Sequence, residues 1–330
     1  MTTPVRFVAA ADLARLRFAT SPLWETVASV RVLRDGAGGA LHAPWRATAR
    51  ERIVGAGASF PVLDALIPPS GHLADFLTPT PSRRSNAFET ELTAVAKVPV
   101  EVVLEDLQTL LAASPTKAAA QILTDGLDDP DALRDKAIDE LRDYWSLTVS
   151  RVWDRLRGLA DSDIAWRLDL LADGGGTKVL GTLHPRVRMD EDRLAIENSC
   201  KDGPTQSGHG VVLVPCAFGW PDLLLFNVPD YALTLTYAPR GVGMLWRDAP
   251  DPQASPLTEL MGRTRAAAIQ LLDLPMTTAQ LACHLDLTPS TANEHLKILE
   301  RSGLVAATRR GRSVLYARTP LGAGLATQTG

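Results

Sequence analysis

Two short stretches near the C-terminus carry the residue types best able to do chemistry. In TPSTANEHLKILERSG, which begins at Thr288, small polar side chains crowd the front: Thr288, Ser290, Thr291, Asn293 and Glu294. Hydroxyl, amide and carboxylate groups of this size can donate to and accept from base edges in a major groove, and an asparagine can bond an adenine twice. Lys297 follows a turn later and offers a point charge to a phosphate, while His295 suits packing or a phosphate contact. The second stretch is Arg309-Arg310-Gly311-Arg312. A glycine lets the chain reverse there, and three guanidinium groups surround it. Their planar forks match phosphate oxygens. Together the two stretches predict a surface for double-stranded DNA, one part reading bases and the other holding the backbone.

The flanking sequence supplies the elements that must position them. Thr288 has the character of an N-cap and Pro289 of a first helical residue, so a helix is expected to about Ser302. Ala292, Leu296 and Leu299 are spaced for burial, which turns the polar residues outward. Gly303 is suited to the left-handed residue that stops it. Upstream, Thr277 and Gln280 form a T-x-x-Q capping box that opens a short helix through Leu281 and Leu285, with a tight turn at Asp286-Leu287. A further helix runs from Pro256, capped by Ser255, with an apolar face of Leu257, Leu260, Met261, Ala268, Leu271 and Leu272, and ends before Pro275. Leu304 to Thr308 and Ser313 to Arg318 read as strands of a hairpin tipped by the arginines. The pattern is a winged helix-turn-helix.

Charge divides the chain in the same place. From Ser255 onward there are eight Lys and Arg against five Asp and Glu, and the remainder has 26 against 33, so a segment of +3 follows a body of −7 within a net charge of −4. The expected division is 1–247 as a regulatory and dimerising domain, 248–255 (DAPDPQAS) as linker and 256–330 as the DNA-binding domain. In the first part, helices are expected over Asp12 to Phe18, Pro22 to Leu33, Trp45 to Val54, Phe88 to Val95 and Val100 to Leu111, with a stretch rich in Pro, Ser and Thr from Pro61 to Arg84 read as loop with short helical turns. One long helix is expected from Pro130, capped by Asp129, to Leu159. Its stripe of Ile138, Leu141, Trp145, Val149, Val152, Leu156 and Leu159 fits a core face better than a dimer seam. Arg186 to Met189 and Arg193 to Asn198 suggest a hairpin, and Val211 to Val214, Leu223 to Phe226 and Tyr231 to Tyr237 further strands. The fold class is therefore mainly α (α+β), a helical N-terminal domain with a small antiparallel sheet followed by the winged helix. Phe218, Trp220, Phe226, Tyr231 and Tyr237 are candidates to line an apolar ligand pocket, although most such residues serve as core.

Other function classes find little support. No apolar run reaches the ~18 residues of a membrane span, and the N-terminus lacks the long apolar stretch and cleavage site of a signal peptide. Cys200, Cys216 and Cys283 are odd in number and scattered, which suits a reducing, cytoplasmic setting. There is no GxSxG, HExxH, CxxC or phosphate-loop spacing, and Gly174-Gly175-Gly176-Thr177-Lys178 reads as a turn. His42, His72, His184 and His209 stand apart from one another in sequence. No cofactor, metal or catalytic group is expected, but an enzyme or a ligand-free scaffold fused to the DNA-binding part remains an alternative for the first 240 residues.

The segment LACHLDLTPSTANEHLKILERSGLVAATRRGRSVLYARTPLG resembles the DNA-binding domain of ArsR-type winged-helix regulators, through its helix-turn-helix, the HLKILERSGLV run and the basic wing followed by Tyr316 and TPLG. The resemblance covers about residues 256 to 324. It implies a transcriptional repressor; a homodimer is expected because one recognition helix contacts too few bases for tight specific binding, and an apolar small-molecule effector is the further partner that the aromatic segment suggests. Metal-sensing relatives carry a Cys-x-Cys whose positions fall here on Thr277 and Ala279, which do not bind soft metals. The long N-terminal part, with RFATSPLWETVASVRVLR near its start, resembles the extension of a subgroup of actinobacterial regulators.

Overall fold

A computed structural model describes residues 5–8, 10–34, 41–190, 193–197, 208–246, 256–273, 275–310 and 313–327. The helical body is built on α2 (Pro22–Leu33), which follows β1 (Val5–Val8), α1 (Ala10–Leu13) and β2 (Arg17–Phe18). Ser21 caps α2 by accepting from the Trp24 amide, Pro22 is its first residue, and every residue from Pro22 to Val32 is buried. A helix enclosed on all sides must satisfy its polar groups internally. Glu25 does so by accepting the amides of Ala217 and Phe218 at 2.7 and 3.0 Å, and at the start of α2 the Ser21 hydroxyl and the Leu23 amide donate to Glu91, a residue of a later helix.

Around α2 lie α3 (Ala43–Gly55), α4 (Pro61–Leu66), α5 (Phe88–Val95), α6 (Val100–Ala112), α7 (Lys117–Asp128), α8 (Pro130–Leu147) and α9 (Trp153–Leu180). Helix α7 has no counterpart among the elements expected from sequence. It is an amphipathic helix that buries Leu123 and Gly126, and the sequence reading passed over it. The single helix expected from Pro130 to Leu159 is broken at Thr148, where a 3-10 turn (Val149–Arg151) separates α8 from α9. Its stripe faces the core as read: Leu141, Val149 and Leu156 are buried, and Ile138, Trp145, Val152 and Leu159 pack against them. The triple glycine lies inside α9, which bends at Gly175, where φ is 69°. The expected helix from Asp12 to Phe18 is instead α1 followed by β2, because the chain there is drawn into a sheet, with the Ala19 amide donating to Leu213.

The body holds two small sheets. The expected hairpin is present as β3 (Val187–Asp190) and β4 (Arg193–Glu197), which pair antiparallel and are joined by β1. The later runs form a separate sheet in the order β2-β5-β7-β6, with β5 (Val211–Pro215), β6 (Leu225–Phe226) and β7 (Leu233–Tyr237). Here β2, β5 and β7 run parallel. Parallel strands are covered on both faces, and all residues of β5 and β7 are accordingly buried.

The C-terminal module comprises α10 (Pro256–Met261), α11 (Arg263–Leu271), β8 (Met276–Thr277), α12 (Thr278–Leu285), α13 (Pro289–Arg301), β9 (Val305–Arg310), β10 (Ser313–Arg318) and α14 (Pro320–Thr327). Its sheet is antiparallel in the order β8-β10-β9. The first helix is split in two at Gly262, and Leu260, expected on its apolar face, is 71% exposed. Residues 247–255, which contain the expected linker, and Ser255 with them, lie outside the described residues. The apolar core is continuous between body and module: Val242 and Leu245 belong to the same cluster as Leu271, Leu281 and Leu285.

Candidate nucleic-acid interface

Local sequence builds the helix-turn-helix as its signals suggest. Thr277 accepts the Gln280 amide at 3.2 Å while Gln280 Oε1 accepts the Thr277 amide at 2.8 Å, completing the capping box that opens α12. Asp286 ends α12 in a left-handed conformation (φ 55°), one that the short polar side chain of an aspartate tolerates. Thr288 then caps α13, accepting the Thr291 amide, and Ala292, Leu296 and Leu299 anchor that helix in the core. Gly303, with φ at 70°, stops it. The ordering α12, tight turn, α13 is that of a DNA-reading pair.

The candidate contact residues do not all stand alike. Ser290, Glu294 and Lys297 are exposed and Asn293 is half-buried, which leaves a polar stripe along the outside of α13. Thr288 and Thr291 are partly committed elsewhere, since their hydroxyls bond each other at 2.9 Å. They shape the start of the helix, and their remaining hydrogen-bonding capacity faces outward. His295 is half-buried with its Nδ1 inside the protein and without a hydrogen-bond partner. Its ring therefore belongs as much to the packing of α13 as to the polar face. Arg309 is exposed on β9, opposite Val314 of β10. Arg310 closes β9. Gly311 and Arg312 lie outside the described residues. At the back of the module the Arg318 guanidinium pairs with Asp273. Gly322 permits a close approach of α14, because a Cβ there would come within 2.1 Å of the Leu304 carbonyl.

The turn of the helix-turn-helix is held by the body. Arg240 pairs with the Asp286 carboxylate, the Gly241 amide donates to Cys283 O at 3.0 Å, and Gly243 lies so close that a Cβ would meet Leu285 at 2.7 Å and Leu271 at 2.9 Å. Behind Arg240 sits a buried network. Asp163 accepts Arg167 Nε at 2.8 Å, Tyr237 OH at 2.7 Å and the Arg240 amide at 2.8 Å. The Arg167 guanidinium also lies 4.4 Å from the centre of the Tyr237 ring. Sequence reading missed this network, since no local motif links α9 to the end of β7.

The five aromatics expected to line a pocket pack instead in separate groups. Phe218 lies against His42 and Trp45, with ring centres 4.7 and 4.3 Å apart. Trp220 lies between His184 and His284, Phe226 against Tyr231, and Tyr237 in the Asp163 network. All but the half-buried Tyr231 are core. A cleft of about 180 Å³ lies elsewhere, lined by Arg31, His72, Asp75, Arg186, Asp222 and Leu223–Leu225 among others. Beside it, ligand atoms of His72, Asp75 and Asp106 lie within 4.8 Å of one another, the one such trio among the described residues. Asp106 already has protein partners, accepting the Phe76 amide at 2.9 Å and meeting His72 Nε2 at 2.8 Å.

The buried titratable groups have the character of core. Burial lowers His42, His184 and His284 to about 3, and raises Glu25 and Glu91 to about 7. His42 and His184 each meet a backbone carbonyl, Ala217 and Pro221. Cys216 is enclosed beside Glu25, its thiol pushed up by burial, and burial with nearby charges raises Cys283 to about 11. Neither offers an accessible thiolate. Cys200 lies outside the described residues. No helix among the described residues is long and apolar enough to cross a membrane.

Comparison with known proteins bears on the module directly. Residues 269–307, from within α11 into β9, match the family described as bacterial regulatory protein, arsR family. Over those residues the C-terminal module is similar to the arsR family. A stretch of 49 residues is 49% identical to the HTH-type transcriptional regulator CmtR of Mycobacterium bovis and to that of Mycobacterium tuberculosis, covering 15% of this chain and 42% of theirs. The chain thus spans less than half the length of the curated relatives it matches. Residues 103–241, from α6 to the end of the body's second sheet, match a family of unknown function (DUF5937), which fits a long extension placed before an arsR module. No solved structure matches the chain.

Proposed function

We propose that this chain is a DNA-binding transcriptional regulator that acts as a homodimer and represses by occupying promoter DNA. The observation that carries this reading is the polar stripe of α13, exposed Ser290, Glu294 and Lys297 with half-buried Asn293, set beside a hairpin that bears Arg309 and Arg310. In use, α13 enters a major groove with Ser290, Asn293 and Glu294 at base edges, while Lys297 and the wing arginines, Arg312 included, meet phosphates. One such helix contacts too few bases for tight specific binding, and two copies on paired half-sites are the usual solution. Leu260 and Leu321, 71% and 60% exposed on helices that both pack beside α11, offer apolar surface for a second copy to cover. The body, clamped to the turn of the helix-turn-helix through Arg240 and Gly241, is the regulatory part: a change in the body moves the reading head.

The test is binding of the full chain to the duplex upstream of its own coding sequence, in competition with a scrambled duplex of equal length. Preference for the upstream duplex, with two chains per site, is the expected result. Equal binding to both would leave a non-specific DNA-binding protein, and no binding to either would leave the module as a protein-interaction surface.

A further inference from the structure

The cleft beside α2 has an unusual distribution of charge. Its walls include two arginines and two aspartates, with Leu73, Leu223, Leu224 and Leu225 as apolar surface. Arg31 is spoken for: it pairs with Asp222 at 3.2 Å and donates to the carbonyls of Pro68 and Gly71 at 3.0 and 2.6 Å. His72 is held by Asp106. Arg186, by contrast, is half-buried, and its guanidinium has no partner among the described residues. A partly enclosed guanidinium without a partner among the described residues is a ready site for a carboxylate, whose two oxygens match its fork. Two arginines against two aspartates leave the charged lining without a net charge, which suits a singly charged ligand better than a dianion such as phosphate. The volume of about 180 Å³ slightly exceeds the ~150 Å³ cavity that accepts a benzene ring.

We propose that this cleft binds a small monocarboxylate with a compact apolar body, of the size of benzoate, and that Arg186 is its carboxylate partner. As the effector site of a regulator this rests on the function proposed above; the binding itself does not. The position suits that role. Arg186 lies two residues from His184, and its own amide donates to His184 Nδ1 at 3.1 Å. Asp222, on another wall, adjoins Pro221, whose carbonyl meets His184 Nε2 at 3.2 Å. Both sides of the cleft therefore converge on His184 and on Trp220, whose ring centre lies 5.5 Å from that of His184. On its other side Trp220 faces His284 of α12, at 5.0 Å. A ligand that drew Arg186 inward would press on the helix that sets the angle of α13.

Calorimetry on the full chain without DNA tests the site. The titrants are benzoate and benzyl alcohol, and the proteins are the native chain, Arg186→Gln and Leu225→Trp, which fills the cleft. Saturable binding of one benzoate per chain is expected, weakened at least about tenfold by Arg186→Gln and by replacing benzoate with the alcohol, and abolished by Leu225→Trp, with unchanged thermal melting of both variants. Absence of benzoate binding at millimolar concentration, equal binding of the alcohol, or binding undiminished in Arg186→Gln or Leu225→Trp would each overturn the proposal. Binding lost on adding EDTA would also overturn it, since a metal at His72, Asp75 and Asp106 would then be the partner of the anion. The experiment contains no DNA, so its failure leaves the regulator reading intact, and a failure to bind DNA leaves this result intact.

Discussion

Asn293 and Lys297 stand four residues apart on α13 and so share one face of the helix, yet their substitutions should read differently. Asn293→Ala removes a group able to bond a base edge, and is expected to relax sequence preference by about 1–3 kcal/mol at one base pair. Lys297→Ala or Arg310→Ala removes a phosphate partner and should weaken binding to all duplexes alike, reducing the salt slope by about one. Competition assays against single-base variants of the upstream site separate the two outcomes.

Buried titratable residues make a second prediction at this scale. Glu25 and Glu91, raised from 4.5 to about 7, hold protons in the fold that the unfolded chain releases. Their contribution to stability is present below about 4.5 and is lost as pH rises through about 7. His42, His184 and His284, lowered from 6.5 to about 3, act in the opposite sense. Their contribution is present above 6.5 and is lost as pH falls towards 3. Between 6.5 and 4.5 the two sets largely oppose each other, so from these five groups only a shallow loss is expected there and a steep one below. The double variant Glu25→Gln/Glu91→Gln removes the opposing pair, and its stability should fall more steeply from pH 6.5 downward than that of the native chain. Urea midpoints measured across this range decide it; parallel profiles would contradict the assignment.

At the scale of elements, the Asp163 network is the point where α9, β7 and the turn of the helix-turn-helix meet. The side chains of Asp163 and Arg167 are both fully buried. Asp163→Ala leaves the Arg167 charge uncompensated and should cost about 3–5 kcal/mol in urea unfolding. Gly322→Ala tests how α14 is seated. The added Cβ meets backbone at Leu304 O rather than a side chain that can turn away, so a loss of about 1–3 kcal/mol is expected, and an unchanged midpoint would mean that α14 is free to shift. These elements also mark the boundary of what sequence could reveal. Capping at Thr277 and Thr288, the stop at Gly303 and the hairpin that follows are local, and the structure reproduces each of them. Helix α7 was also legible, through its Thr116 cap and its amphipathic face, and was passed over; the break at Thr148 and the parallel pairing of β2 with β5 depend on partners far along the chain, and no periodicity encodes those. The aromatics of 218–237 were legible as buried but not as separated, because burial alone does not say which side chains share a space.

For the whole molecule, the continuous core between body and module has a consequence for unfolding. Val242 and Leu245 pack in one cluster with Leu271, Leu281 and Leu285, although the sequence suggested two units joined by a linker. Urea unfolding followed by far-ultraviolet circular dichroism and by tryptophan fluorescence should therefore give coincident transitions. The seven tryptophans all precede residue 247, so fluorescence reports the body while dichroism reports both parts, and two separated transitions would show that the contact at Arg240 and Gly241 does not hold the units together. That contact is also what makes a ligand in the body relevant to the reading head. Everything at this scale rests on the module binding DNA. The most direct measurement is the affinity of the full chain for its upstream duplex, by fluorescence anisotropy, from about 50 to about 200 mM salt. The structure predicts tight binding that falls linearly on logarithmic axes with a slope of several phosphate contacts, shallower in Arg309→Ala/Arg310→Ala; binding that is absent at low salt, or unchanged in slope when the wing arginines are removed, would contradict it.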